Sequence, residues 1–297
     1  MLRIKVVGVG TAGVQIMKKY VFLSLICEMR RQADGYTSAE AFSKDYKWFK
    51  TLRSVYKNVT GESLTIRRFK ESDPIDLTKI VSGFADSNGS ADLIKNLDSH
   101  EGLEIYAEDS MRTMVASFPI LKNRILIGGK ICKGLGAAGD LEVGETAIME
   151  DEEKIKYALK GGDVIVIVAG LGGGIGTSGA LKLAEWSKKD LKAVTIGFVV
   201  APGIFEGRRR TKTTMEFYEK AVDNGPFDML GPYFVDEAYD TAETTMELFR
   251  RVDLAISAQL ERFHMIVRSG EYEKDDVKLI QKAFCTSISH KPTNSAN

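Results

Sequence analysis

Two glycine-rich turns in this 297-residue chain carry most of its chemical potential. The denser one is Gly170-Leu171-Gly172-Gly173-Gly174-Ile175-Gly176-Thr177-Ser178-Gly179. Glycine lets successive amides turn toward one point with no Cβ in the way, and amides gathered at the start of a helix cradle an anion. Thr177 and Ser178 add hydroxyl donors. Six glycines in ten residues exceed what a tight strand-to-helix turn needs, so the cluster is expected to hold phosphate. No P-loop Lys follows it, which excludes a Walker-type NTPase. The other turn, Gly8-Val9-Gly10-Thr11-Ala12-Gly13, is a formal G-x-G-x-x-G. A dinucleotide fold would add an acid about twenty residues on, at the end of a second strand. Glu28 instead falls inside the first helical pattern, and the NAD reading fails. A third stretch, Lys133-Gly134-Leu135-Gly136-Ala137-Ala138-Gly139 continuing to Glu142-Val143-Gly144, precedes the dense cluster and is expected to close over a terminal phosphate.

Strands and helices must hold these turns. Ile4-Lys5-Val6-Val7 leads into Gly8, and Val164-Ile165-Val166-Ile167-Val168 leads into Ala169-Gly170. A third run, Ala193 to Val200, stops at Pro202. Continuous apolar strands of this kind are buried on both faces, as in parallel sheets covered by helices. Helical patterns lie over Val14–Met29, Asp151–Leu159 and Ala180–Lys189. Met246, Phe249, Val252, Ile256, Leu260, Phe263 and Val267 form one stripe on a long helix ended by Ser269-Gly270, with Phe249, Ile256 and Phe263 read as core. A short helix over Val277–Phe284 and a polar tail follow. The alternation predicts an α/β fold: a Rossmann-like, mostly parallel sheet with helices on both faces, then a long central helix.

Lys+Arg and Asp+Glu each total 41, so the net charge is zero. That argues against a protein built to neutralise nucleic-acid backbone. From Asp34 to Ile80, Tyr36, Phe42, Tyr46, Trp48, Phe49 and Tyr56 are interleaved with Lys and Arg. Bases stack on aromatics set among cations, but the neutral balance favours an inserted helical element packing its aromatics inward. Cys27, Cys132 and Cys285 are far apart, so neither a zinc site nor a disulfide framework is expected. His100, His264 and His290 show no metal spacing. The longest apolar run, Tyr20–Cys27, falls far short of the roughly twenty residues a bilayer requires, and the early glycines leave no room for a signal peptide. The expectation is a soluble, cytoplasmic chain with no membrane span and no nucleic-acid partner.

Four ordered blocks resemble the tubulin/FtsZ superfamily of GTPases, more nearly its FtsZ side. Ile4–Gly10 is similar to the first strand and glycine loop of that family. Lys133–Gly139 with Glu142-Val143-Gly144 resembles its γ-phosphate loop. Ala169–Gly179 resembles the signature G-G-G-T-G-T-G, with Ile175 and Ser178 as departures. Phe205-Glu206-Gly207-Arg208-Arg209-Arg210 is similar to the F-E-G-K-K-R sugar loop. The resemblance implies a GTP/GDP site. Gly10, Thr11, Ala12 and Gln15 would lie near the α- and β-phosphates. Gly172, Gly173, Gly174, Ile175, Gly176, Thr177 and Ser178 would hold the phosphates. Ala137, Ala138 and Gly139 would approach the γ-phosphate, and Glu206 and Arg210 the ribose. Asp253 on the long helix is the candidate base reader, a carboxylate suited to the N1 and N2 donors of guanine. The family's N-T-D-A segment after its second strand is matched to Asn88-Gly89-Ser90-Ala91, which puts Ser90 in place of the acid that orders Mg2+. Magnesium is then expected through phosphates and water.

Family hydrolysis is completed in trans by acids in a loop after the long helix. Glu273 and Asp276 take those positions here, although an acidic helix start would look similar. The resemblance implies a GTP-binding domain over 1–240, the long helix at 241–269, an acidic loop and short helix at 270–285, and a tail at 286–297. Segments near 34–80 and 100–120 stand as inserts without family counterparts. The family's second α+β domain is expected to be missing. Two functional readings follow. One is assembly-coupled, slow GTP hydrolysis by head-to-tail filaments in cytoskeletal or membrane-remodelling work, with a membrane adaptor as a possible partner. The other is a GTP-dependent switch that binds a partner protein and does not polymerise.

Overall fold

The computed structural model describes residues 3–46, 49–71, 103–109, 124–237, 244–268 and 276. Among these, six strands form one sheet: β1 (Ile4–Val9), β2 (Leu103–Asp109), β3 (Arg124–Leu126), β4 (Val164–Gly170), β5 (Val194–Ala201) and β6 (Met229–Phe234). The spatial order is β3-β2-β1-β4-β5-β6, and each neighbouring pair is parallel. The chain therefore builds outward from β1 on one side, then returns to build outward from β4 on the other. At such a reversal the connections leave β1 and β4 toward opposite faces and open a crevice at their carboxyl ends.

The predicted class of fold is the one observed. Val164 to Ala169 are fully buried, as a strand covered on both sides requires. One face of the sheet, carrying Ile4, Val6, Val164, Val166, Val168, Ile196 and Phe198, packs under α1 (Gly10–Ala33) and the long helix α9 (Thr245–Arg268). The other face, carrying Val7, Val9, Ile165, Ile167 and Val199, packs under α5 (Leu141–Glu150), α6 (Glu152–Leu159), α7 (Gly174–Lys189) and α8 (Arg208–Asn224). The first helix begins four residues earlier than its apolar pattern, at Gly10, and α7 begins within the glycine cluster itself.

Two segments differ from expectation. Residues 103–109, expected within an insert, form β2, which pairs with β1 on one side and β3 on the other. The alternation Leu103-Glu104-Ile105-Tyr106 is too short and too polar to stand out from sequence. Part of the other insert forms α2 (Ala39–Asp45), α3 (Phe49–Thr60) and α4 (Ile66–Glu71). Its aromatics do turn inward: Phe42, Phe49, Tyr56 and Phe69 are fully buried. Phe49 lies 4.8 Å from Phe42 and 5.1 Å from Phe69, both edge-on, a geometry aromatic quadrupoles favour. Ser38 caps α2 by accepting a hydrogen bond from the Ala41 amide. The short helix over 277–284 and the tail lie outside the described residues.

Helices α1 and α9 meet along a partly polar seam. Ser257 Oγ donates to the Asp253 carbonyl at 2.7 Å, and Lys19 pairs with the Asp253 carboxylate, the two side chains only 7% and 14% exposed. In the same seam burial pushes the Cys27 thiol up to about 11, and the Glu261 carboxylate adds to the effect. Burial likewise pushes the phenols of Tyr218 and Tyr233 up to about 12. In each case the unfolded group ionises first, so the proton is held longer by the folded chain. Stability is therefore expected to be complete below pH 9.0, the ordinary thiol value, and to fall as the pH climbs from there toward 12. Urea midpoints at about pH 8 and about pH 10.5 test this; Cys27→Ala should remove a part of the loss on the order of 1 kcal/mol.

Candidate functional site

The crevice predicted by the strand order is present. A cleft of about 780 Å³ lies over the carboxyl ends of β1 and β4, within the range of sites that take a small organic ligand. Fifteen of the twenty residues singled out from sequence line it: Gly10, Thr11, Ala12, Gln15, Ala137, Ala138, Gly139, Gly172, Gly173, Gly174, Ile175, Gly176, Glu206, Arg210 and Asp253. They come from five separate stretches of chain, brought together by the reversal at β1 and β4.

Two glycines show why backbone alone forms the floor. A Cβ at Gly176 would lie 2.1 Å from the Gly170 carbonyl oxygen, and one at Gly10 would lie 2.9 Å from the Gly176 nitrogen. The two turns thus touch backbone to backbone. Gly173 is the opposite case. A Cβ there would meet nothing within 4 Å, so its bare face belongs to the cleft rather than to packing. Gly139 and Ala138 hold left-handed φ values of 75° and 49°, and that loop closes the far wall against Gly174.

The electrostatics favour an anion. Helices α1, α7 and α8 begin at Gly10, Gly174 and Arg208, and residues at or beside each start line the cleft. None of the three has an acid in its first turn; Glu206 stands just before α8, so the starts of α1 and α7 are the ones whose positive dipole ends stay uncompensated. Glu206 Oε1 accepts a hydrogen bond from the Gly203 amide at 3.0 Å, and Glu206 Oε2 pairs with Arg210 at 2.6 Å. Arg209 donates to the Gly139 carbonyl at 3.3 Å, spanning the mouth from the Glu206–Arg210 loop to the glycine loop opposite. At the other end Asp253 sits beside Val252, Val235 and Phe249, giving an apolar wall with one carboxylate.

Several residues fall elsewhere or were missed. Thr177 and Ser178 do not line this cleft. Both are buried; Thr177 Oγ1 accepts from the Gly172 amide at 3.0 Å, and Ser178 Oγ donates to the Gly174 carbonyl at 2.6 Å. Their hydroxyls brace the turn. Phe249, read as core, is 36% exposed and faces the cleft, whereas Ile256 and Phe263 are buried. Its apolar spacing on α9 made it indistinguishable from its neighbours in sequence. Arg209, given no role beside Arg210 in the sequence match, also lines the cleft. Asn88, Ser90 and Glu273 lie outside the described residues; Asp276 is half-buried and does not line the cleft. The second strand ends at Asp109, with Glu108 opposite Val9.

Comparison with known proteins agrees with this architecture. The chain is 34% identical over 173 residues to the cell division protein FtsZ of Aquifex aeolicus, covering 57% of this chain and 46% of that protein. It is 45% identical over 97 residues to FtsZ 1 of Methanocaldococcus jannaschii, covering 33% of this chain and 26% of that one. The chain thus spans less than half the length of these relatives. Among solved structures, CetZ2 from Haloferax volcanii, a GTPγS-bound protofilament, superposes with a TM-score of 0.58 at 18% identity, covering 94% of this chain and 62% of that one. CetZ from Methanosaeta thermophila gives 0.59 at 14% identity, with 95% and 59% covered. These two likenesses show a shared fold. The model of the Tubulin/FtsZ family, GTPase domain, matches residues 3–230, from the start of β1 into β6. Both glycine turns, the closing loop and the Glu206–Arg210 loop fall inside that match, and the chain belongs to the Tubulin/FtsZ family.

Proposed function

We propose that this chain binds GTP and hydrolyses it slowly, with hydrolysis coupled to head-to-tail self-association. The observation that carries the reading is the convergence of two uncompensated helix starts and a side-chain-free glycine floor on one cleft that also carries a carboxylate beside an apolar wall. A nucleoside triphosphate has the matching polarity, with charge at one end and hydrogen-bond donors at the other. The phosphates lie against the amides of Gly172–Gly176, and Arg209 and Arg210 offset their charge. The base packs on Phe249 and Val252, and Asp253 accepts from its ring N–H and amino groups. Of the common purines, guanine presents two adjacent donors there. Adenine lacks the ring donor. Glu206 and Arg210 meet the ribose.

Magnesium would be held by phosphate oxygens and water. Glu273 and Asp276 would act on the nucleotide of the next subunit, accepting a proton from the attacking water. The protofilament form of the Haloferax volcanii relative supports assembly as the working state. The cellular task under this reading is cytoskeletal or membrane-remodelling, in the cytoplasm.

Gly173→Ala separates ligand binding from folding. Its Cβ meets open space, so stability should stay within about 1 kcal/mol, while GTP affinity falls on the order of tenfold or more. Gly176→Ala should instead destabilise the fold by more than about 2 kcal/mol, because its Cβ collides with fixed backbone. Calorimetric titration and urea unfolding of both variants check the pair.

GTP turnover should rise per subunit with protein concentration, with the protein pelleting in GTP and not in GDP. Glu273→Ala with Asp276→Ala should abolish turnover and leave GTP affinity within about twofold. A flat, low rate without a pellet would favour the partner-binding switch instead.

A further inference from the structure

The insert carries a basic concavity that none of the preceding chemistry uses. Residues 34–71 hold eight basic against five acidic residues in a chain whose net charge is zero. Lys44 from α2 and Lys50 and Arg53 from α3 line a groove of about 550 Å³ together with Glu40 and Ser43. Arg53 meets Glu40 at 3.5 Å; Lys44 and Lys50 are exposed and form no ion pair with a described residue. The aromatic packing beneath fixes both helices, so the two ammonium groups stand on a rigid frame rather than a mobile tail.

An acidic counterpart lies on the same molecule. Glu150, Asp151, Glu152 and Glu153 are four consecutive carboxylates at the corner where α5 ends and α6 begins. Glu150 and Asp151 accept backbone hydrogen bonds from Lys130 and Gly128, which fixes the corner. Glu153 is exposed. The groove belongs to the α1 face of the sheet and the corner to the opposite face. The two cannot meet within one molecule.

We propose that this groove docks the acidic corner of a second copy of the chain. Groove and corner are different surfaces on opposite faces, so the contact is heterologous and does not close on a dimer; it repeats along the sheet normal. That direction differs from the cleft at the strand ends. Such a contact engages a handful of residues per side, well below the roughly 1,200 Å² of a stable complex, so it is weak and steered by charge. A lipid surface fits less well, because no large apolar side chain among the described residues of the insert is exposed. Nucleic acid fits less well because Phe42, Phe49, Tyr56 and Phe69 are buried beneath the cations rather than displayed for stacking.

The test uses the full chain without nucleotide, which keeps it independent of the GTP reading. Sedimentation velocity at about 50 mM salt should show concentration-dependent association that weakens at least tenfold at about 500 mM. Lys44→Glu with Lys50→Glu should abolish it, and so should Glu152→Lys with Glu153→Lys. Mixing the two reversed variants should restore it, a gain that misfolding cannot produce. Circular dichroism confirms that each variant is folded; if one is not, the neutral pair Lys44→Gln with Lys50→Gln replaces it and should reduce association. A wild type that stays monomeric up to about 200 µM at low salt, or variants that fail to rescue each other, would overturn the proposal. The groove would then be left to an acidic segment of another protein.

Discussion

Backbone pressed against backbone at the carboxyl ends of β1 and β4 is the contact on which the rest of the molecule depends. Gly10 approaches Gly176, and a Cβ on Gly13 would come within 2.4 Å of the Val168 carbonyl oxygen. With side chains in these places the two turns would part, α1 and α7 would start farther from each other, and their amides would no longer point into one cleft. Close packing makes this an all-or-none arrangement, since protein interiors yield little to added volume. The glycines serve twice. They let the layers meet, and at Gly173 they leave bare backbone on the wall of the cleft.

The same contact sets the division of labour around the cleft. Polar side chains that look available in sequence are consumed in holding the turn, as with Thr177 and Ser178. The groups left facing outward are amides and arginines at one end and a carboxylate with apolar neighbours at the other. Lys19 beneath Asp253 keeps that carboxylate compensated within the α1–α9 seam, where an isolated buried charge would be costly.

Much of this was legible in the residues. Val164–Val168 could only be a doubly covered strand, and the position of glycine clusters after β1 and β4 located the cleft before any coordinate. What stayed hidden has physical causes. β2 is a strand whose identity comes from its neighbours, because pairing with β1 and β3, not its own composition, makes it extended. That is why residues 103–109 read from sequence as part of an insert. Phe249 shares the helical spacing of Val252 and Ile256, and only the end of the sheet decides that one of the three meets the cleft and not the core. The inward turn of the insert's aromatics was readable from the charge balance; the groove between α2 and α3 was not, since it depends on how two short helices sit against each other.

Helix α1 runs unbroken from Gly10 at the cleft to Ala33 beside the insert. At 1.5 Å per residue, its 24 residues span about 36 Å. Its amino end is clamped between two turns and its carboxyl end supports Phe42 and Phe69 through the shared core. One rigid element thus reaches both places: the same helix that starts between the glycine turns ends in the core of the insert, so the insert's position is set by the fit of those turns.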